Sequence, residues 1–204
     1  MPDTDQYKTL REPSEGIFKD KGSKFITYAY PISTEEVIKP LVDELKKKYY
    51  DARHHCFAWQ LGTDGNRFRA NDDGEPSGTA GKPILGQIRS NELTNLLVVV
   101  IRYFGGTKLG TSGLIHAYKE ATIDAINNGT IVERTVNDFY RINFDYGVMN
   151  DVMRIIKEEN PNITKQDFNL RCSIEWSTRQ SEVEKIKSRF SKVESVKIEY
   201  LYTA

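Results

Sequence analysis

The chain has 204 residues, a length suited to one large or two small domains. Its 38% hydrophobic, 28% charged and 11% aromatic content excludes an intrinsically disordered chain. Lysine plus arginine and aspartate plus glutamate each number 29, with 18 of each sign up to residue 134 and 11 of each beyond it. Neither half therefore has the bulk positive field of a protein that holds nucleic acid by charge alone, although a local basic patch fits the same count.

In chain order, Gly16–Lys19 and Ser23–Pro31 are rich in Phe, Ile, Thr and Tyr and flank Asp20-Lys21-Gly22, which predicts a β-hairpin. Ser33-Thr34-Glu35-Glu36 has the spacing of a capping box. Val37, Ile38, Leu41, Val42, Leu45 and Tyr49 follow at helical intervals, with Pro40 inside the pattern. Arg53–Leu61 alternates as a strand, Gly62–Asn66 turns the chain, and Arg67–Ala70 supplies a partner strand. A loop over Asn71–Pro83 leads to a short helix ending near Arg89. Leu93–Phe104 contains Leu-Leu-Val-Val-Val-Ile without alternation, the pattern of a strand buried on both faces, and Gly105-Gly106 ends it. Thr111–Asn128 reads as a helix stopped by Asn128-Gly129. These elements make a mixed first domain, residues 1–134.

Beyond residue 134 the expected order is strand Val136–Tyr146, helix Val148–Glu159, strand Ile163–Phe168, strand Leu170–Ser177, helix Thr178–Phe190 and strand Val193–Tyr202. That βαββαβ order predicts a ferredoxin-like sandwich for residues 135–204, so the fold class is α+β with two domains. Cys56 and Cys172 lie in different predicted domains, which gives no disulfide framework and suits a reducing compartment. Met1–Gln6 is polar and acidic, unlike a signal peptide, and the apolar run Leu96–Ile101 is far short of the about 20 residues that span a bilayer. The expectation is a cytoplasmic protein without a membrane partner.

Three segments of the first domain carry the chemistry-bearing residues. In Ala52–Trp59, His54 and His55 are adjacent, so on a strand they point to opposite faces and cannot together chelate one ion. Either one, if it faces Asp73 and Glu75, is a candidate acid, base or phosphate donor, and His55, Asp73 and Glu75 are the catalytic candidates. Asn71–Pro83 gathers three glycines, two prolines, three carboxylates and the hydroxyls of Ser77 and Thr79 ahead of a helix. Gly81-Lys82 falls short of a P-loop, because Pro83 stands where Ser or Thr is required. Asp72, Asp73 and Glu75 are also possible oxygen ligands for a divalent cation, but their spacing is not that of an EF-hand, and neither a metal nor a cofactor is expected. Arg102–Gly113 runs from a buried strand through a glycine-rich turn into a helix. Its free amides favour an anion, or else Thr111 or Ser112 simply caps the helix. Arg53, Ser77, Thr79, Lys82, Arg102, Lys108, Thr111 and Ser112 are the candidate phosphate or nucleic-acid ligands. No residue is identifiable as a nucleophile.

Taken in this order, Arg53–Trp59, Asp72–Pro83 and Val98–Gly113 resemble the YigZ/IMPACT family of bacterial proteins and their eukaryotic relatives. The resemblance covers about residues 14–128 by motif and the remainder by domain order, and Ser112 stands where many members have glycine. It implies an N-terminal domain of the ribosomal-protein domain-2-like superfamily, with a left-handed βαβ crossover, and a ferredoxin-like C-terminal domain. Similar domain pairs occur at the ribosome-facing end of elongation factor G. The eukaryotic relatives act in translational control through an additional N-terminal domain, and that particular role is not carried over.

The function expected is an RNA- or ribosome-associated binding protein in translation regulation, seating phosphate at the glycine-rich helix starts, with RNA, the ribosome or a protein of translation control as partner. The alternatives are an enzyme acting on a phosphorylated small molecule or nucleotide, as hydrolase or phosphotransferase, and a protein-interaction module.

Overall fold

The computed structural model describes residues 5–169 and 171–204. The first four residues of the polar N-terminus and the expected strand start at Leu170 fall outside the described residues. The chain divides into two units, residues 7–134 and residues 135–204, and Asp5 and Gln6 group with the second. A boundary at residue 134 alone would place both in the first domain. The cause is the Asp5 carboxylate, which is buried against the Arg179 guanidinium at 2.9 Å and accepts the Ser181 amide at 3.0 Å.

The first unit contains β1 (Gln6–Leu10), the hairpin β2 (Ser14–Asp20) and β3 (Ser23–Pro31), α1 (Ile38–Lys48), β4 (His54–Leu61), β5 (Arg67–Asn71), α2 (Gly81–Ser90), β6 (Leu96–Tyr103), α3 (Gly110–Asn128) and β7 (Ile131–Thr135). Lys21 and Gly22 both have positive φ, 44° and 80°, as a two-residue type I′ hairpin turn requires. The Ser33–Glu36 capping box does not start α1, which begins at Ile38 without a side-chain cap. This shift puts Pro40 in the first helical turn, where its missing N–H has no intrahelical acceptor to lose.

Five strands form one sheet in the order β2-β3-β6-β4-β5, with antiparallel neighbours throughout. Because β6 is central, its residues divide between two cores. Leu96, Val98 and Val100 pack with Cys56, Ala58 and the inner faces of α2 and α3, while Leu97, Val99 and Ile101 pack with Ile38, Val42 and Leu45 of α1. Helices on both faces explain the run without alternation, and each such side chain contributes roughly 1.5–3 kcal/mol by burial. β1 and β7, which the sequence reading did not anticipate, form a separate two-stranded ribbon. α3 ends at Gly129 as expected, but Gly129 is extended (φ −91°) and not left-handed. A Cβ there would lie 2.8 Å from Leu10 Cδ2 and 3.0 Å from Ser14 Oγ, so close packing is the reason for glycine.

The second unit contains β8 (Asn137–Phe144), α4 (Met149–Glu159), β9 (Asn162–Phe168), β10 (Cys172–Arg179), α5 (Val183–Phe190) and β11 (Lys197–Thr203). Its antiparallel sheet has the order β11-β8-β10-β9. Trp176, Phe190, Ile142 and Ile155 are at the centre of its core. α4 stops at a left-handed Asn160 (φ 50°) before Pro161. The helix expected from Thr178 begins only at Val183, because Thr178 and Arg179 continue β10 opposite Asp138 and Asn137. Among the described residues, no helix is long and apolar enough to cross a membrane.

Candidate anion-binding site

The strand register brings the first side chains of the site together. His54 on β4 pairs with Arg102 on β6, which pairs in turn with Phe25 on β3. All three have the parity of Cys56, Val98 and Val100, so they project to the α2/α3 face of the sheet. Beyond Arg102 the chain makes a sharp exit through Gly105. A Cβ on Gly105 would lie 1.8 Å from the Gly22 carbonyl carbon and 2.1 Å from the Ser23 nitrogen, so only glycine passes the hairpin turn at this distance.

The loop between β5 and α2 folds back against this edge. Asp72 is its hub, with one carboxylate oxygen accepting the amides of Ala80 and Gly81 and the other that of Gly78, at 2.8–3.0 Å. The N-terminus of α2 thus already holds an anion, a carboxylate from its own loop. Asp73 has a positive φ of 41°, and its carboxylate takes the His55 amide at 2.7 Å and Lys46 at 3.3 Å. The Asp73 carbonyl lies 2.8 Å from His54 Nδ1. A carbonyl only accepts, so Nδ1 carries the hydrogen and Nε2 is the free ring position.

Glu75, at the end of this turn, is buried. Its Oε1 accepts Arg102 Nη1 at 2.6 Å and the Tyr118 hydroxyl at 2.9 Å, and Tyr118 accepts the Cys56 thiol at 3.2 Å. Burial pushes both the Cys56 thiol and the Tyr118 hydroxyl well above their usual ranges, so neither is a nucleophile or base near neutrality. Arg102 is 6% exposed, and its guanidinium carbon lies 5.6 Å and 5.7 Å from the Phe25 and Phe104 ring centres. Its Nε is buried and has no hydrogen-bond partner among the described residues.

Above this floor is an open cleft of about 440 Å³. Arg53, His54, Glu75, Pro76 and Arg102 line one part of it; Phe104, Lys108, Leu109, Gly110, Thr111 and Leu114 line the other. The second group is the entry to α3, whose 19 residues begin without any side-chain cap. Thr111 and Ser112 therefore do not cap the helix, and among the described residues no side-chain cap matches the partial positive charge of the first-turn amides. The side chains lining the cleft carry three fixed positive charges, Arg53, Arg102 and Lys108, against the one carboxylate of Glu75.

Of the residues singled out from the sequence, Arg53, His54, Glu75, Arg102, Lys108 and Thr111 thus converge on one cleft. The others do not line it. His55 is on the opposite face of β4, buried, with Nε2 donating to the Tyr49 carbonyl at 3.1 Å. Asp73 serves the backbone of β4, the Thr79 hydroxyl donates to the Pro76 carbonyl at 2.6 Å, and Ser77, Lys82 and Ser112 are exposed elsewhere. The three loop carboxylates each have separate partners, and among the described residues no group of three His, Cys, Asp or Glu is placed to hold a metal ion. Phe104 and Tyr118 did not stand out from the sequence as site residues. The parity that puts His54, not His55, beside Arg102 was present in the strand pattern.

Comparison with known proteins agrees with this assembly of segments. The Impact N-terminal domain matches residues 21–126. The IMPACT family member YvyE of Bacillus subtilis is 36% identical over 152 residues, 74% of this chain and 70% of its own. The member YigZ of Escherichia coli is 34% identical over 150 residues, 72% of this chain and 74% of its own. The crystal structure of a hypothetical protein aligns with 97% of this chain and 98% of its own, at 26% identity and a TM-score of 0.72. An α/β protein with an uncapped helix start over a buried Arg–Glu pair, the chain belongs to the IMPACT family.

Proposed function

We propose that the protein is a cytoplasmic RNA- or ribosome-associated factor in translation control, and that it seats RNA phosphate in the cleft at the start of α3. The observation that carries this reading is the uncapped α3 N-terminus beside Arg102, Lys108 and Arg53. Anions bind at such a terminus because unpaired amides and the helix dipole act together, and arginine and lysine add charge-assisted bonds. Family membership supports the link to translation, since the eukaryotic relatives act there. α2 has no part in the seat, because Asp72 already occupies its start. The same reading takes the first unit as ribosomal-protein domain-2-like with a left-handed crossover, and the second as ferredoxin-like on its β11-β8-β10-β9 strand order.

The test is co-sedimentation with ribosomes and bulk RNA across a salt series. Arg53→Ala/Lys108→Ala is the informative variant, because both side chains are exposed and their loss leaves the Arg102–Glu75 pair intact. Association that weakens with salt and is lost in the variant supports the proposal. With few phosphates contacted, the salt dependence is shallow. Absence of association at low salt, or association unchanged in the variant, overturns it.

A further inference from the structure

The cleft has features that a generic phosphate-backbone site does not need. Phe104 is 51% exposed at its rim, immediately after β6, with its ring beside the Arg102 guanidinium. An exposed aromatic ring next to a cationic anion seat is the pairing by which proteins hold an unstacked base and its phosphate together. The cleft volume of about 440 Å³ falls in the roughly 300–1,000 Å³ range of small-ligand sites. Arg53, Arg102 and Lys108 set against Glu75 leave an excess of two positive charges. A terminal phosphomonoester carries nearly two negative charges near neutrality, and an internal phosphodiester carries one. Arg102 lines the cleft, and its buried Nε has no acceptor among the described residues.

We propose that this cleft takes a single nucleotide bearing a terminal phosphate, with the phosphomonoester at the start of α3 and the base against Phe104. The inference rests on the reading of the cleft as a phosphate seat and narrows it to one chemistry, that of a nucleoside monophosphate. The unit comes either as a free nucleotide or as the phosphorylated end of single-stranded RNA.

The test measures binding of the full chain to one short single-stranded oligoribonucleotide carrying either a 5′-phosphate or a 5′-hydroxyl, with AMP, UMP and inorganic phosphate as competitors. The 5′-phosphorylated strand is expected to bind about tenfold more tightly or better, and Phe104→Ala to weaken it about tenfold while Phe104→Tyr retains it. Thermal melts of the two variants separate loss of the site from loss of the fold. Competition by the nucleoside monophosphates at the affinity of the strand assigns the site to free nucleotide. Weak competition by them assigns it to the RNA end. Equal binding of the two strands, lost in Arg53→Ala/Lys108→Ala, overturns the terminal-phosphate inference and leaves RNA binding standing. Failure of either strand and of the mononucleotides to bind overturns both. Unchanged affinity in Phe104→Ala overturns the role of the ring.

Discussion

Arg102 and Glu75 meet in an ion pair of 2.6 Å, with side chains only 7% and 3% exposed. The pair joins the end of β6 to the loop before α2, and Tyr118 of α3 completes it. Three separate parts of the chain are thereby fixed at the floor of one cleft. Removing one partner leaves the other charge buried and unpaired. Arg102→Ala is expected to lose roughly 3–5 kcal/mol in denaturant unfolding. Arg102→Met/Glu75→Gln removes both charges, keeps an acceptor for Tyr118 and loses less.

Asp72 is expected to matter for stability and not for binding. Asp72→Ala removes the acceptor for three amides, one at the first residue of α2, and lowers stability by about 2 kcal/mol or more. Chemical denaturation measures that loss, and RNA association of the remaining folded protein stays as in the parent.

Two groups make stability depend on pH, and in both cases acid destabilises. Burial lowers the pKa of His55 from its ordinary 6.5. The unfolded chain therefore takes up that proton more readily, and stability falls as pH drops through 6.5. The bond to Arg179 lowers Asp5 to about 2, from 3.8, so its contribution is complete above pH 3.8 and is lost as pH falls from there towards 2. Melting temperatures from pH 8 to pH 5 are expected to decline, and less steeply in His55→Gln.

Much of the fold was legible because burial imposes a pattern. The unbroken Leu96–Ile101 run marks β6 as a central strand, and it is covered on both faces. The Asn160-Pro161 break and the Lys21-Gly22 turn are equally local, and each is where the residues require it. The starts of α1 and α5 differ from the expectation because a capping box is a weak local signal and because the pairing of Thr178 and Arg179 with β8 extends β10. The ribbon of β1 and β7 is two five-residue strands that pair with each other across more than a hundred residues. In the site, glycines and basic residues marked both helix starts alike. Only the tertiary position of Asp72 distinguishes the occupied start of α2 from the open start of α3.

Cys56 and Cys172 are buried free thiols. Burial raises the Cys56 thiol, which is held between the Asp72 carbonyl at 2.9 Å and the Tyr118 hydroxyl. Both thiols are expected to resist a neutral thiol reagent in the native protein and to react fully in denaturant. Rapid native labelling of Cys56 would show that the floor of the cleft opens.

The central claim is that the start of α3, and not that of α2, is the anion seat. Backbone amide shifts recorded during titration with inorganic phosphate, and then with single-stranded RNA, test it directly. The account predicts saturable shifts at Gly110, Thr111, Ser112 and Gly113, with Gly81 and Lys82 unmoved. Shifts at Gly81 and Lys82 without those at α3, or none at either helix, would contradict it.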